Sequence, residues 1–283
     1  MIPQQDLIPW RAMAPWSTDL MVEQDYLISQ AVELIFKDPK LKTQLAMRGG
    51  TVLHKGHLAP ASRYSEDIDL VLLTNRSHAG IKEDIAAVLE PLLGEPSESV
   101  ITNVRLTIRN LLFKSEIAQL TYVYDPTSQQ EEALPTLKIE VNLNEKGTCY
   151  PLTSVDIDVP SQNGRVKVPV VSYDLDEMLG TKLRALFQRD KGRDLFDLWY
   201  AWNCSQRPGA TASITPMRVA NAFRFYLEQE KSPFSKAQLE SELARRMKSR
   251  KFLRDMDGYL PVGLNYDPKK AFDEFHAVFM PHL

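Results

Sequence analysis

Apolar and polar positions change rhythm several times along the chain. From Ser17 to about Phe36, the apolar residues Leu20, Leu27, Ile28, Ala31, Leu34 and Ile35 fall on one helical face, with Ser17 placed to cap it and Asp38-Pro39 to end it. Leu41 to Met47 reads as a short amphipathic piece. A helix from Thr51 to about Leu58 follows, carrying His54 and His57, which read as ordinary surface histidines. Arg63 to Leu73 switches to a strand ending in the apolar run Leu70 to Leu73, and Ile81, Ile85, Val88, Leu89 and Leu92 then restore the helical period until Gly94. Alternation of period two returns in three runs: Asn103 to Arg109, Ile117 to Tyr124, and Leu137 to Leu143. Asn144 to Pro169 reads as loop and hairpin, with Asn163-Gly164 as its turn. Beyond Tyr173 the period is 3.6. A boundary near residue 172 therefore divides a mixed α+β part, 1–172, from a mainly helical part, 173–283.

The chemistry gathers where the rhythm changes. On a strand, Asp67 and Asp69 project from one face while Ile68 points the other way, and the apolar tail fixes the pair at a rigid edge. Two parallel carboxylates suit a hard cation such as Mg²⁺ that shares itself with substrate phosphates. Gly49-Gly50-Thr51 precedes the acids, and paired glycines allow backbone N–H groups to approach phosphate oxygens. Glu140 lies on the polar face of the third alternating run, either as a third carboxylate of the site or as a solvated residue beside Lys138. In the helical part, Lys182 stands on one helix and Asp197 on the next. Gly192 breaks the first and Asp194 is placed to cap the second; Arg193 and Asp194 read equally as functional or as a salt-bridge network. Arg245, Arg246, Lys248, Arg250, Lys251 and Arg254 supply six cations without an intervening acid, a segment suited to a phosphate backbone or to a solvated helix face.

Composition narrows the class. Hydrophobic content of 43% with 25% charged residues excludes a disordered chain, and a net charge of −3 leaves nucleic-acid binding to local patches such as this one. Two cysteines, Cys149 and Cys204, without metal-ligand spacing argue against structural zinc and for a reducing compartment. Neither a signal segment nor a membrane span is apparent, so a bacterial cytoplasmic location is expected.

Taken in order, Gly49-Gly50-Thr51, Arg63-Tyr64-Ser65-Glu66-Asp67-Ile68-Asp69-Leu70, Lys182, and Arg189 followed by Arg193-Asp194 and Asp197 resemble the motifs of the AbiEii/AbiGii toxin family of nucleotidyltransferases. The resemblance runs from about Arg48 to Trp202. It implies a polymerase-β-like core with a mixed sheet, joined to a helical domain, and a toxin answered by a cognate antitoxin in a toxin–antitoxin or phage-defence system. Members of the mycobacterial MenT type transfer nucleotides to the 3′ end of tRNA. By position, the resemblance implies that Gly49, Gly50 and Thr51 line the nucleotide pocket, and that Ser65 and Lys182 contact the triphosphate. Asp67 and Asp69 would hold Mg²⁺ or Mn²⁺ with Glu140 as the least secure ligand, and Asp197 would be the remaining catalytic acid, supported by Arg193 and Asp194. The spacing from Thr51 to Asp67 agrees with the toxins and departs from minimal nucleotidyltransferases. The expected reaction is transfer of NMP from an NTP to RNA; transfer to a protein hydroxyl, or nucleotide binding without catalysis, are the rival readings.

Overall fold

The computed structural model describes residues 2–108, 111–127, 134–145, 147–161 and 164–283, with the backbone alone considered over 102–108 and 111–115. Helices α1 (Gln4–Trp10) and α2 (Asp19–Lys37) lead into β1 (Leu45–Arg48), α3 (Gly49–Val52) and a π-helical turn, Leu53–His57. Then come β2 (Asp67–Leu72), α4 (His78–Leu93), β3 (Glu98–Ile108), β4 (Leu111–Val123), β5 (Thr136–Asn142), β6 (Thr153–Ser161) and β7 (Gly164–Ser172). The rest of the fold is helical: α5 (Leu175–Gln188), α6 (Gly192–Ser205), α7 (Pro216–Gln229), α8 (Lys236–Arg246), α9 (Arg250–Leu253) and α10 (Pro268–Val278).

All seven strands form one sheet in the order β3-β4-β5-β2-β1-β7-β6, with β2–β5 and β1–β7 parallel and the other pairs antiparallel. The expected mixed α+β architecture is the observed one. At the centre, β2 alternates at its entry, with Asp67 and Asp69 half-buried around a buried Ile68, and then becomes fully buried from Leu70 to Leu72. Burying Ile68, Leu70, Val71 and Leu72 contributes about 1.5–3 kcal/mol per side chain before chain entropy is counted. That anchor holds the acids still.

Several elements differ from the sequence expectation for local reasons. Thr18 rather than Ser17 caps α2, its hydroxyl accepting from the Met21 amide at 3.2 Å. Leu41 to Met47 is no single amphipathic piece: a 3₁₀ turn, Leu41–Thr43, precedes β1, whose four residues are too few to show a period. The stretch read as loop and hairpin contains the nine-residue strands β6 and β7; Asn163 of the expected turn lies outside the described residues, as do the side chains of Asn103 to Arg109. Helix α4 meets its expected end at Gly94, which adopts φ +68°. After Ser172 the described chain is helical, as read, but the helices do not stand apart. One buried apolar cluster runs from Leu27 and Ile68 through Leu183 and Phe196 to Phe279, so sheet and helices share a core.

Candidate active site

The acids lie at the N-terminal entry of β2, opposite the glycine pair. Antiparallel pairing sets Arg48 of β1 against Asp69, and the chain turns immediately afterwards at Gly49, with φ +81°. A Cβ at Gly49 would fall 1.8 Å from Asp69 Oδ2, and one at Gly50 2.6 Å from an Arg63 nitrogen and 2.8 Å from Ser65 Oγ. The glycines are thus required by contact as well as by conformation: backbone lies directly against the carboxylate, the guanidinium and the hydroxyl. Thr51 does something else. It is buried, and its hydroxyl donates to the Asp67 carbonyl at 2.6 Å, so it tethers the entry of β2.

Parallel pairing places Glu140 of β5 in register with Asp69, which brings a third carboxylate to the same sheet face. Lys138, two residues earlier on β5, stands in register with Asp67. Burial, together with the charges of Asp69 and Glu140, pushes the Asp67 carboxyl up to about 7; burial and Asp69 also raise Glu140. A site whose carboxylates repel one another favours a cation. Among the described residues, however, no three His, Cys, Asp or Glu side chains are close enough to form a ready-made metal cage, because charge repulsion reaches further than coordination. Two or three oxygen donors without a closed cage fit Mg²⁺ or Mn²⁺, which keeps positions for water and substrate phosphates.

Beneath this edge lies an opposite arrangement. Asp197 on α6 is fully buried. Its Oδ1 accepts from Arg63 Nε at 2.6 Å and from His54 Nε2 at 2.8 Å; its Oδ2 accepts from Arg63 Nη2 at 2.9 Å and lies 2.7 Å from Lys182 Nζ. A carboxylate has about four lone-pair sites, and all are used. Burial alone would raise the Asp197 pKa, but Arg63, Lys182 and His54 hold it well below the usual carboxylate range. Asp197 is therefore the counter-ion of Lys182 and Arg63, with every lone-pair site engaged. Lys182 itself is nearly buried on α5, with Asp194 3.9 Å away on the other side.

Arg193 and Asp194 also serve this scaffold. Asp194 does not cap α6. It lies buried in the first turn and receives Arg189 at 2.7 and 2.8 Å, while Arg193 donates backbone and side-chain N–H to Asp255 and covers the Tyr259 ring at 4.8 Å. The basic segment divides. Arg246 is buried and donates to the Leu186 and Phe187 carbonyls, which removes it from any RNA-facing surface. Arg245 pairs with Asp190 and Glu242, and Arg254 with Asp257, whereas Lys248, Arg250 and Lys251 are exposed.

Four groups were not foreseen from the sequence: Arg48, Arg63, Ser62 and His54. Arg63 is separated from Asp197 by 134 residues, and no local pattern signals such a pair. His54, read as a surface histidine, is wholly buried; its Nδ1 lies 2.8 Å from Ser62 Oγ. Burial, reinforced by Arg63 and Lys182 and opposed by Asp197, pushes its pKa down to about 4. His57 is similarly pushed down to about 4 by burial and lies 3.2 Å from Ser172 Oγ.

The fold is similar to that of MenT4, a nucleotidyltransferase toxin from Mycobacterium tuberculosis H37Rv, with a TM-score of 0.61 and 16% identity, covering 99% of this chain and 88% of that one. JHP933 from Helicobacter pylori aligns with a TM-score of 0.49 and 14% identity over 94% of this chain and 93% of its own. No curated protein matches the sequence. The family model for the nucleotidyl transferase AbiEii toxin of type IV toxin–antitoxin systems matches residues 33–278, a span that includes every motif residue described above. The chain belongs to the AbiEii family and is a nucleotidyltransferase toxin of the type IV toxin–antitoxin class.

Proposed function

We propose that this nucleotidyltransferase transfers NMP from an NTP to an RNA acceptor, with the 3′ end of tRNA as the target, and so blocks translation until its antitoxin intervenes. The observation that carries the reading is the apposition of Asp67, Asp69 and Glu140 to the Gly49-Gly50 turn, with Lys182 held beneath. The RNA acceptor is supported by the resemblance to tRNA-modifying toxins and by the exposed cations Lys248, Arg250 and Lys251. No helix among the described residues is long and apolar enough to cross a membrane, in keeping with a toxin acting in the bacterial cytoplasm.

In this mechanism residues 1–172 supply the acids and residues 173–283 supply the cation beneath them. Asp67 and Asp69, with Glu140 in reach, would hold Mg²⁺ or Mn²⁺, which neutralises triphosphate charge when bound. The turn at Gly49 and Gly50 brings backbone N–H groups to the phosphates, Ser65 Oγ stands beside Gly50 to contact them, and Lys182 donates from below. The acceptor hydroxyl oxygen bonds to the α-phosphorus, its proton passes to solvent, and the bond to the pyrophosphate leaving group breaks. The protein contributes position and charge compensation more than covalent chemistry.

Incubation with total bacterial tRNA, Mg²⁺ and each of the four α-labelled NTPs tests the proposal. Label on tRNA that is absent with Asp67→Ala is the expected result and identifies the base. Label on protein instead would assign the transfer to a protein hydroxyl, and no label with any NTP would overturn the tRNA acceptor.

A further inference from the structure

The buried side of the site contains a histidine that the reaction scheme leaves unused. His54 is on the π-helical turn that follows the glycine pair, and its ring sits among Phe196 and Tyr200 at centroid distances of 6.1 and 6.4 Å. Its two nitrogens are fully assigned by their partners. Asp197 is ionised and only accepts, so Nε2 must carry the proton and donate to Oδ1. In a neutral imidazole Nδ1 is then an acceptor, so Ser62 Oγ–H donates to it. The chain runs Ser62, His54, Asp197, and ends on Lys182 and Arg63. Each bond has one possible direction at the imidazole, and Asp197 has no spare lone pair in which to rotate.

We propose that His54 is a positioning residue for nucleotidyl transfer: as a neutral imidazole locked in the Nε2–H tautomer by Ser62, it fixes the Asp197 carboxylate and thereby aims Lys182 at the triphosphate. The inference deepens the nucleotidyl-transfer reading and rests on it for the role of Lys182. The need is physical. Arg63 grips Asp197 through two bonds along one edge, which fixes the carboxylate plane but leaves the carboxylate able to swing toward Arg63 as a unit. The third donor, from His54, comes from a separate element and removes that freedom. Oδ2 is thereby held 2.7 Å from Lys182 Nζ. A charged imidazole would add a third cation to Arg63 and Lys182 around one carboxylate, so the neutral form is the one that positions without competing. Ser62 and Tyr200 also line a cavity of about 710 Å³ with Met13, Pro60 and Leu264, and none of Asp67, Asp69, Glu140 and Asp197 lines it, so the Ser62 end of the chain is separate from the reacting edge.

Three variants and one spectrum test the proposal. His54→Gln keeps a side-chain N–H that can reach Asp197, His54→Leu keeps bulk without a donor, and Ser62→Ala removes only the hydroxyl that fixes the tautomer. Binding of each of the four NTPs with Mg²⁺, measured by titration calorimetry without RNA, reads the aim of Lys182 independently of the acceptor. For the NTP that binds, His54→Leu is expected to weaken affinity about tenfold and to lower transfer further. His54→Gln should recover most of both, and Ser62→Ala should lose about two- to threefold, all in proteins that melt cooperatively. If His54→Leu does not fold, Ser62→Ala and the spectrum decide. Ring ¹⁵N shifts in the wild type are expected to show His54, told apart from the similarly buried His57 by its loss in His54→Gln, neutral, protonated at Nε2 and not titrating between pH 5.5 and 8. Wild-type NTP affinity in folded His54→Leu, no loss in Ser62→Ala, no rescue by Gln, or an Nδ1–H or doubly protonated ring would each overturn the inference. Transfer that survives in Asp67→Ala would overturn the wider mechanism instead, so the two failures are distinguishable.

Discussion

Two groups of carboxylates lie within one site and have opposite fates. At the sheet edge, Asp67, Asp69 and Glu140 face one another, and burial with mutual repulsion raises the Asp67 pKa to about 7. Beneath, Asp197 is more deeply buried, yet its pKa is held well below normal because Arg63, Lys182 and His54 surround it. Burial alone predicts the same direction for both, so partners decide. The edge is left short of positive charge and can take a cation and a triphosphate, whereas the hub is complete and can only hold other groups in place.

The largest expected effect breaks the edge. Asp67→Ala or Asp69→Ala is expected to lower the transfer rate by about 10³ or more while leaving a folded protein, as read by labelled-NTP transfer beside a melting curve. Lys182→Met joins edge to hub: it is expected to cost about 10²–10³ in rate and also to lower the melting temperature, because it strips one partner from buried Asp197. Gly49→Ala comes next. Its Cβ would meet Asp69 Oδ2 at 1.8 Å at a φ of +81°, so a loss of about 10² in transfer with a measurable drop in stability is expected from kinetics and denaturant titration.

The pH dependence of stability sharpens the comparison, because the regions slope in opposite directions. Asp67 has a folded pKa near 7, above its unfolded value of 3.8, so its contribution is present below 3.8 and is lost as pH rises through 7. His54 and His57 have folded pKa values near 4, below the unfolded 6.5, so acid costs stability as pH falls from 6.5 toward 4. Without divalent cation, urea unfolding is therefore expected to show stability rising from pH 4 to 6.5, with the Asp67 loss offsetting part of the histidine gain over that interval, and levelling above about pH 7. Asp67→Asn is expected to remove that offset and steepen the rise. The smallest effect lies furthest from both regions: Lys248→Glu with Arg250→Glu and Lys251→Glu is expected to weaken tRNA binding and reduce its salt slope by about 3. An unchanged slope would remove this segment from the RNA path.

What the sequence made legible was local. Asp67, Ile68 and Asp69 announce a half-buried strand entry through a period of two, and that reading matches the geometry found; Gly49-Gly50 announces a close approach to phosphate, and in the structure the pair lies against Asp69, Arg63 and Ser65. Strand β1 was not legible because four residues carry no measurable period, although it sets Arg48 against Asp69. His54 looked exposed because a polar residue in a helical stretch is usually solvated; only Asp197, 143 residues later, and Ser62 make its burial tolerable. Arg246 misled for the same reason. It lies in a run of cations, yet its guanidinium donates to carbonyls at the end of α5 and forms an ion pair with Asp190. Charge in sequence shows where a group can be solvated, while long-range pairing decides whether it is.

One measurement tests the contrast between edge and hub most directly: thermal unfolding of Asp67→Asn and Asp197→Asn beside the wild type, at pH 8 without divalent cation. The two substitutions remove the same charge from carboxylates in the same site. Relief of repulsion predicts an equal or higher melting temperature for Asp67→Asn, and loss of the counter-ion to Arg63 and Lys182 predicts a lower one for Asp197→Asn, by about 3–5 kcal/mol in stability. Shifts of the same sign in the two variants would contradict the division of the site into a charge-starved edge and a charge-satisfied hub.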